Sequence, residues 1–242
     1  ELAPHQNLVK NFLSYETPYN NLLLYHGLGS GKTCSAIGVA EEMRDYLKLR
    51  DIENKIIIVA SPNVQNNFKT QLFDERKLML TDGIWSIKGC TGNKFLKELG
   101  LNSTEFNKEF IVKKINKLIN KSYEFFGYTQ FANYIQNISL VKSDVENKKE
   151  IMKRKLRKVF DNKLIVIDEV HNIRITQDNK NKYVAKELVK LIENTNNIKL
   201  LLLSGTPMFN SHEEIIWLIN LMNLNDNRSK ISISDVFDKN GN

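Results

Sequence analysis

Five short apolar runs decide what this chain can fold into. They fall at residues 22–25, 56–60, 125–128, 164–167 and 199–203, with spellings such as "IIIVA", "LIVI" and "LLLL". These are continuous rather than alternating, as strands covered on both faces should be. Segments with helical spacing lie between them, at 32–48, 63–77, 148–160 and 183–193. Strand and helix in alternation predict an α/β domain, a central parallel sheet with helices on both faces. A length of 242 residues is enough for one such core.

Two stretches are less regular. Residues 81–121, with "GCTGNKFLKELGLNSTEFNKEF", read as an elaboration between core elements with a helix near its end. Residues 174–182, "RITQDNKNK", are polar and unpatterned, and are expected to form a mobile loop. Cys34 and Cys90 are too few for a disulfide framework and show no metal-ligand spacing, so a reducing compartment is expected. No apolar run approaches the ~20 residues that span a bilayer, and no membrane partner is expected. The opening "ELAPHQ" has no start methionine or signal pattern, which suggests a piece of a longer chain. The net charge of +7 is compatible with nucleic-acid binding and equally with solubility alone.

The chemistry concentrates first in "NLLLYHGLGSGKT", residues 21–33. It reads as a strand, a turn and the start of a helix. Gly27, Gly29 and Gly31, with Ser30 among them, allow positive φ and let backbone N–H groups approach a phosphate. A helix start at Lys32 adds its dipole and free donors. In such a loop Lys32 reaches the β/γ-phosphates and the Thr33 hydroxyl holds Mg²⁺. The pattern G-x-x-x-x-G-K-[ST] has glycine where this chain has His26. A glycine turn that binds nothing would not require Lys-Thr at the mouth of the helix.

A hydrolysing loop needs acids at a neighbouring strand end. "LIVIDEVHNIR" supplies Asp168 for the Mg²⁺ shell and Glu169 to orient and deprotonate the attacking water. The last apolar run ends in "LLLLSGTPMFN". Taken alone, its Ser204-Gly205-Thr206-Pro207 is a turn. Beside a phosphate loop it can be a polar hinge at the carboxyl edge of the sheet, where ligands of open α/β folds sit.

The ordered set "HGLGSGKT", "ASPNVQ", "YTQF", "DEVH" and "SGTP" resembles motifs I, Ia, Ib, II and III of the superfamily 2 helicases, over residues 2–222. Helicases of that superfamily often lack the first loop glycine, so His26 fits the resemblance. "LAPHQ" is similar to the entry motif of Swi2/Snf2-like and restriction-type translocases, and "SGTPMFN" with "EEIIWLINLMN" to their motif III extension, Asn210 matching its terminal Asn. "LLLYHGLGSGKTCSAIG", "GCTGNK" and "FDNKLIVIDEVHNIR" most resemble helicase-like ATPases of nucleocytoplasmic large DNA viruses. Those are relatives of the poxviral early transcription factor small subunit and nucleoside triphosphatase I.

The resemblance implies a RecA-like P-loop NTPase domain using ATP and Mg²⁺. Gln6 would read the adenine edge. Lys32, Thr33, Asp168 and Glu169 match catalytic positions, and His171, Ser204 and Thr206 match residues coupling hydrolysis to nucleic-acid engagement. Pro62, Asn63, Thr129 and Gln130 fall in segments that touch the sugar-phosphate backbone in relatives. The implied partners are nucleic acid, with DNA expected, and viral RNA polymerase or transcription factors. The implied location is the virion or a cytoplasmic factory, and otherwise an intracellular one.

Such enzymes sandwich ATP between two RecA-like halves, the second carrying an arginine finger. Arg228 lacks that motif's context. Residues 1–225 are therefore expected to be the first half, and 226–242 the start of a linker to a second half of the same longer chain. Alone, it should bind Mg-ATP and hydrolyse it weakly. An oligomeric AAA+ motor would place Asn or Thr where Ser204 stands. A helicase-like scaffold or adaptor without strand separation remains the alternative, although it would not need Glu169. The basic run 148–158 reads as a solvated helix face more readily than a phosphate contact. Phe125, Phe126 and Phe131 read as core rather than base-stacking platforms.

Overall fold

A computed structural model describes residues 2–27, 29, 31–103, 105–142, 146–173, 179–208 and 214–237. The five apolar runs form one parallel sheet of β1 (Asn21–Tyr25), β2 (Ile56–Val59), β5 (Tyr123–Phe126), β6 (Leu164–Ile167) and β7 (Lys199–Ser204), in the order β1-β7-β6-β2-β5. A separate antiparallel hairpin joins β3 (Leu78–Thr81) to β4 (Ile84–Ile87). The helices are α1 (Pro4–Phe12), α2 (Lys32–Leu49), α3 (Pro62–Leu72), α4 (Lys94–Glu98), α5 (Lys108–Ser122), α6 (Tyr128–Ser139), α7 (Lys148–Phe160), α8 (Asn179–Glu193) and α9 (Glu214–Asn225). No helix among the described residues is long and apolar enough to cross a membrane.

Both sheet faces are covered, which is why the strands lack a polar face. Ile56 and Ile58 of β2 enter one core, with Leu164 and Val166 of β6; Ile57, Val59, Ile165 and Ile167 enter the other. Helices α1 to α5 close the first face and α6 to α9 the second. The expected α/β architecture is the observed one.

Three boundaries differ from the pattern reading. The run at 125–128 is a strand only to Phe126, and the strand begins earlier, at Tyr123. Gly127 donates its N–H to Gln130 Oε1 at 2.9 Å, which opens α6 at Tyr128. The helix expected at 63–77 stops at Leu72, because Phe73 turns extended (φ −153°, ψ 116°). Of the loop expected at 174–182, residues 174–178 lie outside the described set, and α8 already begins at Asn179. The hairpin, unforeseen, turns at Asp82-Gly83, whose φ values of 50° and 78° suit the tight turn that Asp-Gly favours.

Residues 78–122 hold β3, β4, α4 and α5, and a buried ionic network fastens them to α2. Arg44 Nη2 lies 2.7 Å from Glu41 Oε2 and 2.6 Å from Glu98 Oε2, while Lys94 Nζ lies 2.9 Å from Glu41. Tyr123 donates its hydroxyl to Glu41. Burial pushes the Glu41 carboxyl up, but Arg44, Lys94 and Tyr123 outweigh it and hold the group below its usual range. Cys34 and Cys90, for which the sequence suggested no pairing, form a disulfide across 56 residues with Cα atoms 5.3 Å apart, inside the span such bonds require.

Charge is unevenly distributed. Helices α5 and α7, on opposite faces, carry twelve of the 35 Lys+Arg but two of the 28 Asp+Glu. The rest of the chain, with 23 against 26, is net negative.

Candidate active site

Strand register collects the motifs on one edge of the sheet. Tyr25 pairs with Ser204, Ile167 with Leu202, and Val59 with both Ile167 and Phe126. The ladder then runs one step further. His26 donates its N–H to Ser204 O at 3.3 Å, Asp168 to Val59 O at 2.9 Å and Ala60 to Phe126 O at 2.9 Å. The residues after each strand therefore emerge side by side at the carboxyl edge, the ligand-binding edge of open α/β sheets.

The loop after β1 opens onto space. Gly29 and Gly31 have φ of 78° and 80°, and Gly31 caps α2. A Cβ on Gly27 or Gly29 would meet nothing within 4 Å. His26 has no left-handed backbone, so the position does not demand glycine. Ser30 lies outside the described residues. Gln6 accepts from the Ala3 N–H at 2.9 Å and donates to Gly31 O at 3.4 Å. A Cβ on Gly31 would stand 2.4 Å from Gln6 Nε2, so the glutamine braces the loop from α1.

Opposite this loop the charged groups converge. Lys32 Nζ, at the first residue of α2, lies 3.5 Å from Glu169 Oε1. Gly205 donates its N–H to Glu169 Oε2 at 3.4 Å. His171 Nδ1 lies 3.3 Å from the same oxygen and 3.0 Å from Ser204 Oγ. Ser204 Oγ also accepts the Thr206 N–H at 3.0 Å. Lys32, Glu169, His171, Ser204 and Thr206 thus form one connected chain of polar contacts. Glu169 holds its place with φ of 44°, a left-handed conformation that non-glycine residues seldom adopt.

Asp168 is 7% exposed, and its Oδ1 accepts the Glu169 N–H at 3.0 Å. Burial, then the Glu169 charge, pushes its carboxyl up to about 6; the Glu169 N–H and Lys32 oppose the shift. Such a group gains from a cation. Thr33 Oγ1 accepts from Asn67 Nδ2 at 3.5 Å. Among the described residues no cluster of three His, Cys, Asp or Glu forms a metal cage. One carboxylate and one hydroxyl fit Mg²⁺, which is usually held by few protein oxygens together with substrate phosphates.

Pro62 and Asn63 open α3, exposed, and Thr129 and Gln130 lie in the first turn of α6. Since β2 and β5 are neighbours, all four sit farther along the same edge. The Gln130 side chain is occupied in capping α6. Asn210 lies outside the described residues. Two residues inside the quoted motifs had been given no role. Gly205 is one, since its Cβ would stand 3.1 Å from Lys32 Nζ. Tyr128 is the other: it donates its hydroxyl to Asp168 O at 2.8 Å, bracing the acidic turn. Burial, with the Asp168 and Glu169 charges adding, pushes Tyr128 up to about 12 against the Asn172 hydrogen bond. Asn67 gave no sequence signal at all.

Known proteins resemble the chain along most of its length. The SNF2-related domain matches residues 5–240. "Putative helicase 087L" of Invertebrate iridescent virus 3 is 29% identical over 243 residues, 98% of this chain and 21% of that protein. "Putative ATP-dependent RNA helicase R563" of Acanthamoeba polyphaga mimivirus is 29% identical over 90% of this chain and 32% of its own. "Early transcription factor 70 kDa subunit" of Molluscum contagiosum virus subtype 1 is 24% identical over 91% and 26% respectively. The chain spans about a fifth to a third of the length of these relatives. The solved "Sulfolobus solfataricus SWI2/SNF2 ATPase core in complex with dsDNA" aligns over 93% of the chain and 35% of its own, at 15% identity and a TM-score of 0.46. The resemblance to helicase-like proteins of large DNA viruses is borne out by these relatives. With a match that runs from residue 5 to residue 240, the chain belongs to the SNF2-related domain family.

Proposed function

We propose that this chain is the ATP-binding half of a DNA-dependent ATPase, a helicase or translocase that acts in viral transcription. The observation that carries the reading is the connected set from Lys32 through Glu169 and His171 to Ser204 and Thr206 on one sheet edge. Gly29, Gly31 and the start of α2 would cradle the phosphates, with Lys32 meeting their charge. Thr33 and Asp168 would hold Mg²⁺, which when bound supplies charge neutralisation on the transferred phosphate. Glu169 would orient a water and accept its proton. His171 would pass the state of Glu169 to Ser204 and Thr206, and so toward the nucleic-acid candidates Pro62, Asn63, Thr129 and Gln130.

The helicase names of the relatives support the motor class, and the early transcription factor name supports a role in transcription. A viral RNA polymerase or transcription factor is the implied protein partner, in a virion or cytoplasmic factory. Residues 1–225 serve as the first RecA-like half, and a second half of the same polypeptide supplies the arginine finger. Without that finger, turnover falls by ~10³–10⁵.

The test is ATP hydrolysis by a chain that includes both halves, with and without single-stranded and duplex DNA. Stimulation by DNA that disappears in Lys32→Ala is expected, with Glu169→Gln binding ATP but not turning it over. Hydrolysis indifferent to either DNA would reject the DNA-dependent motor.

A further inference from the structure

The chain has two cysteines, and folding brings them together beside the candidate site. Cys34 follows Thr33 in the first turn of α2. Cys90 lies in the loop after β4, and that loop is held independently. Thr91 donates its hydroxyl to Leu72 O at 2.9 Å at the end of α3, and Asn93 Oδ1 accepts the Ile87 N–H at 2.7 Å. Lys94 pairs with Glu41 and Asp45 farther along α2. Both cysteines are half-buried, and Cys90 lines a cavity of about 180 Å³ with Leu2, Gly38 and Thr91.

We propose that Cys34 and Cys90 are a reversible thiol–disulfide couple that clasps the first turn of α2 to this loop, and that its state sets nucleotide affinity next door. The second part rests on the nucleotide reading above. The reactant class is a low-molecular-weight disulfide of the glutathione type. One protein thiolate attacks it, forming a mixed disulfide and releasing one thiolate. The other protein thiolate then attacks the protein-bound sulfur of that mixed disulfide and expels the second. Two protein thiols give up two electrons and two protons; one disulfide becomes two thiols.

The bond acts where the other contacts do not. Lys94 and Thr91 keep the loop on α2 and α3 after reduction, so the loop itself does not detach. What is released is the turn that carries Lys32 and Thr33. A turn ordered in advance binds better than one that must be ordered on binding. The oxidised form is therefore the tighter binder.

The test equilibrates the chain with reduced and oxidised glutathione at set ratios. Free thiols are counted by alkylation and mass, and Mg-ADP affinity is measured by calorimetry in each state. Both thiols should disappear together in monomeric protein and return on reduction. Reduction should weaken Mg-ADP binding by about three- to tenfold, the scale of a modest loss of preorganisation. Cys90→Ser should match the reduced protein and ignore the glutathione ratio. Thiols that stay free in excess oxidised glutathione, bonds between copies, or equal affinity in both states would overturn the proposal. Failure of every state to bind Mg-ADP would instead sink the nucleotide reading. The clasp would then stand or fall on whether reduction lowers the thermal midpoint.

Discussion

Gly205 and Lys32 are separated by less than the room a methyl group needs, since a Cβ at Gly205 would stand 3.1 Å from the lysine Nζ. That nitrogen ends a flexible side chain, so Gly205→Ala should leave the melting temperature unchanged while displacing the cation. Calorimetry should show Mg-ATP binding about tenfold weaker, or ~1.4 kcal/mol. Tyr128→Phe keeps the ring and deletes the bond to the Asp168 carbonyl. Urea unfolding should register a loss of about 0.5–1.5 kcal/mol. Glu41 contributes to the acid behaviour. Its folded carboxyl titrates below the usual range, so as pH falls the unfolded chain takes up that proton first. Its stabilisation is complete above the ordinary carboxylate value of about 4.3 and is lost as pH drops through the folded one. Glu41→Gln should flatten part of that acid slope in melts taken below about pH 5, and cost about 3 kcal/mol at neutral pH. The acids, the lysine and the loop glycines were legible because their chemistry lies in residue type and spacing. The left-handed backbone of Glu169 and the Tyr128 hydrogen bond were not, because both depend on how separate strands line up.

The strands were legible for a physical reason: a sheet buried on both faces writes itself as unbroken apolar runs. Their ends were not, because ends are set by single hydrogen bonds. Gln130 capping Gly127 decides that β5 stops at Phe126, and nothing in "FFGYTQF" states that this amide turns back. The hairpin at Asp82-Gly83 had a local signal, a two-residue turn between strands, hidden inside a region that looked irregular. Helix α5 offers a clean test of such local control. Asn107 Oδ1 accepts the Phe110 N–H at 2.8 Å, and the helix buries Ile111, Ile115 and Ile119 behind it. Asn107→Ala should lower stability by about 1 kcal/mol in urea titration, with no change in the slope of the transition.

At the scale of the molecule, two cores share one sheet, and the crossing order β1-β7-β6-β2-β5 brings distant stretches of sequence to one edge. Alternation of strand and helix made the fold class readable. The strand order was not readable, since several orders satisfy the same pattern. Nor was the Cys34–Cys90 pairing, which needs the loop after β4 to return to α2.

The segregation of charge has a colloidal consequence. With α5 and α7 positive on opposite faces and the remaining chain slightly net negative, a basic helix of one copy is attracted to the rest of another. A formal +7 suggests mutual repulsion, but repulsion averages over distance, whereas contact is decided by patches within a Debye length of ~10 Å at 0.1 M salt. The protein should therefore salt in. Light scattering should find it self-associating in dilute buffer and dispersing as sodium chloride is added, and Arg154→Glu with Lys158→Glu should blunt that response. Purification at low ionic strength, the usual choice for a cationic protein, would select the condition in which this one is least soluble.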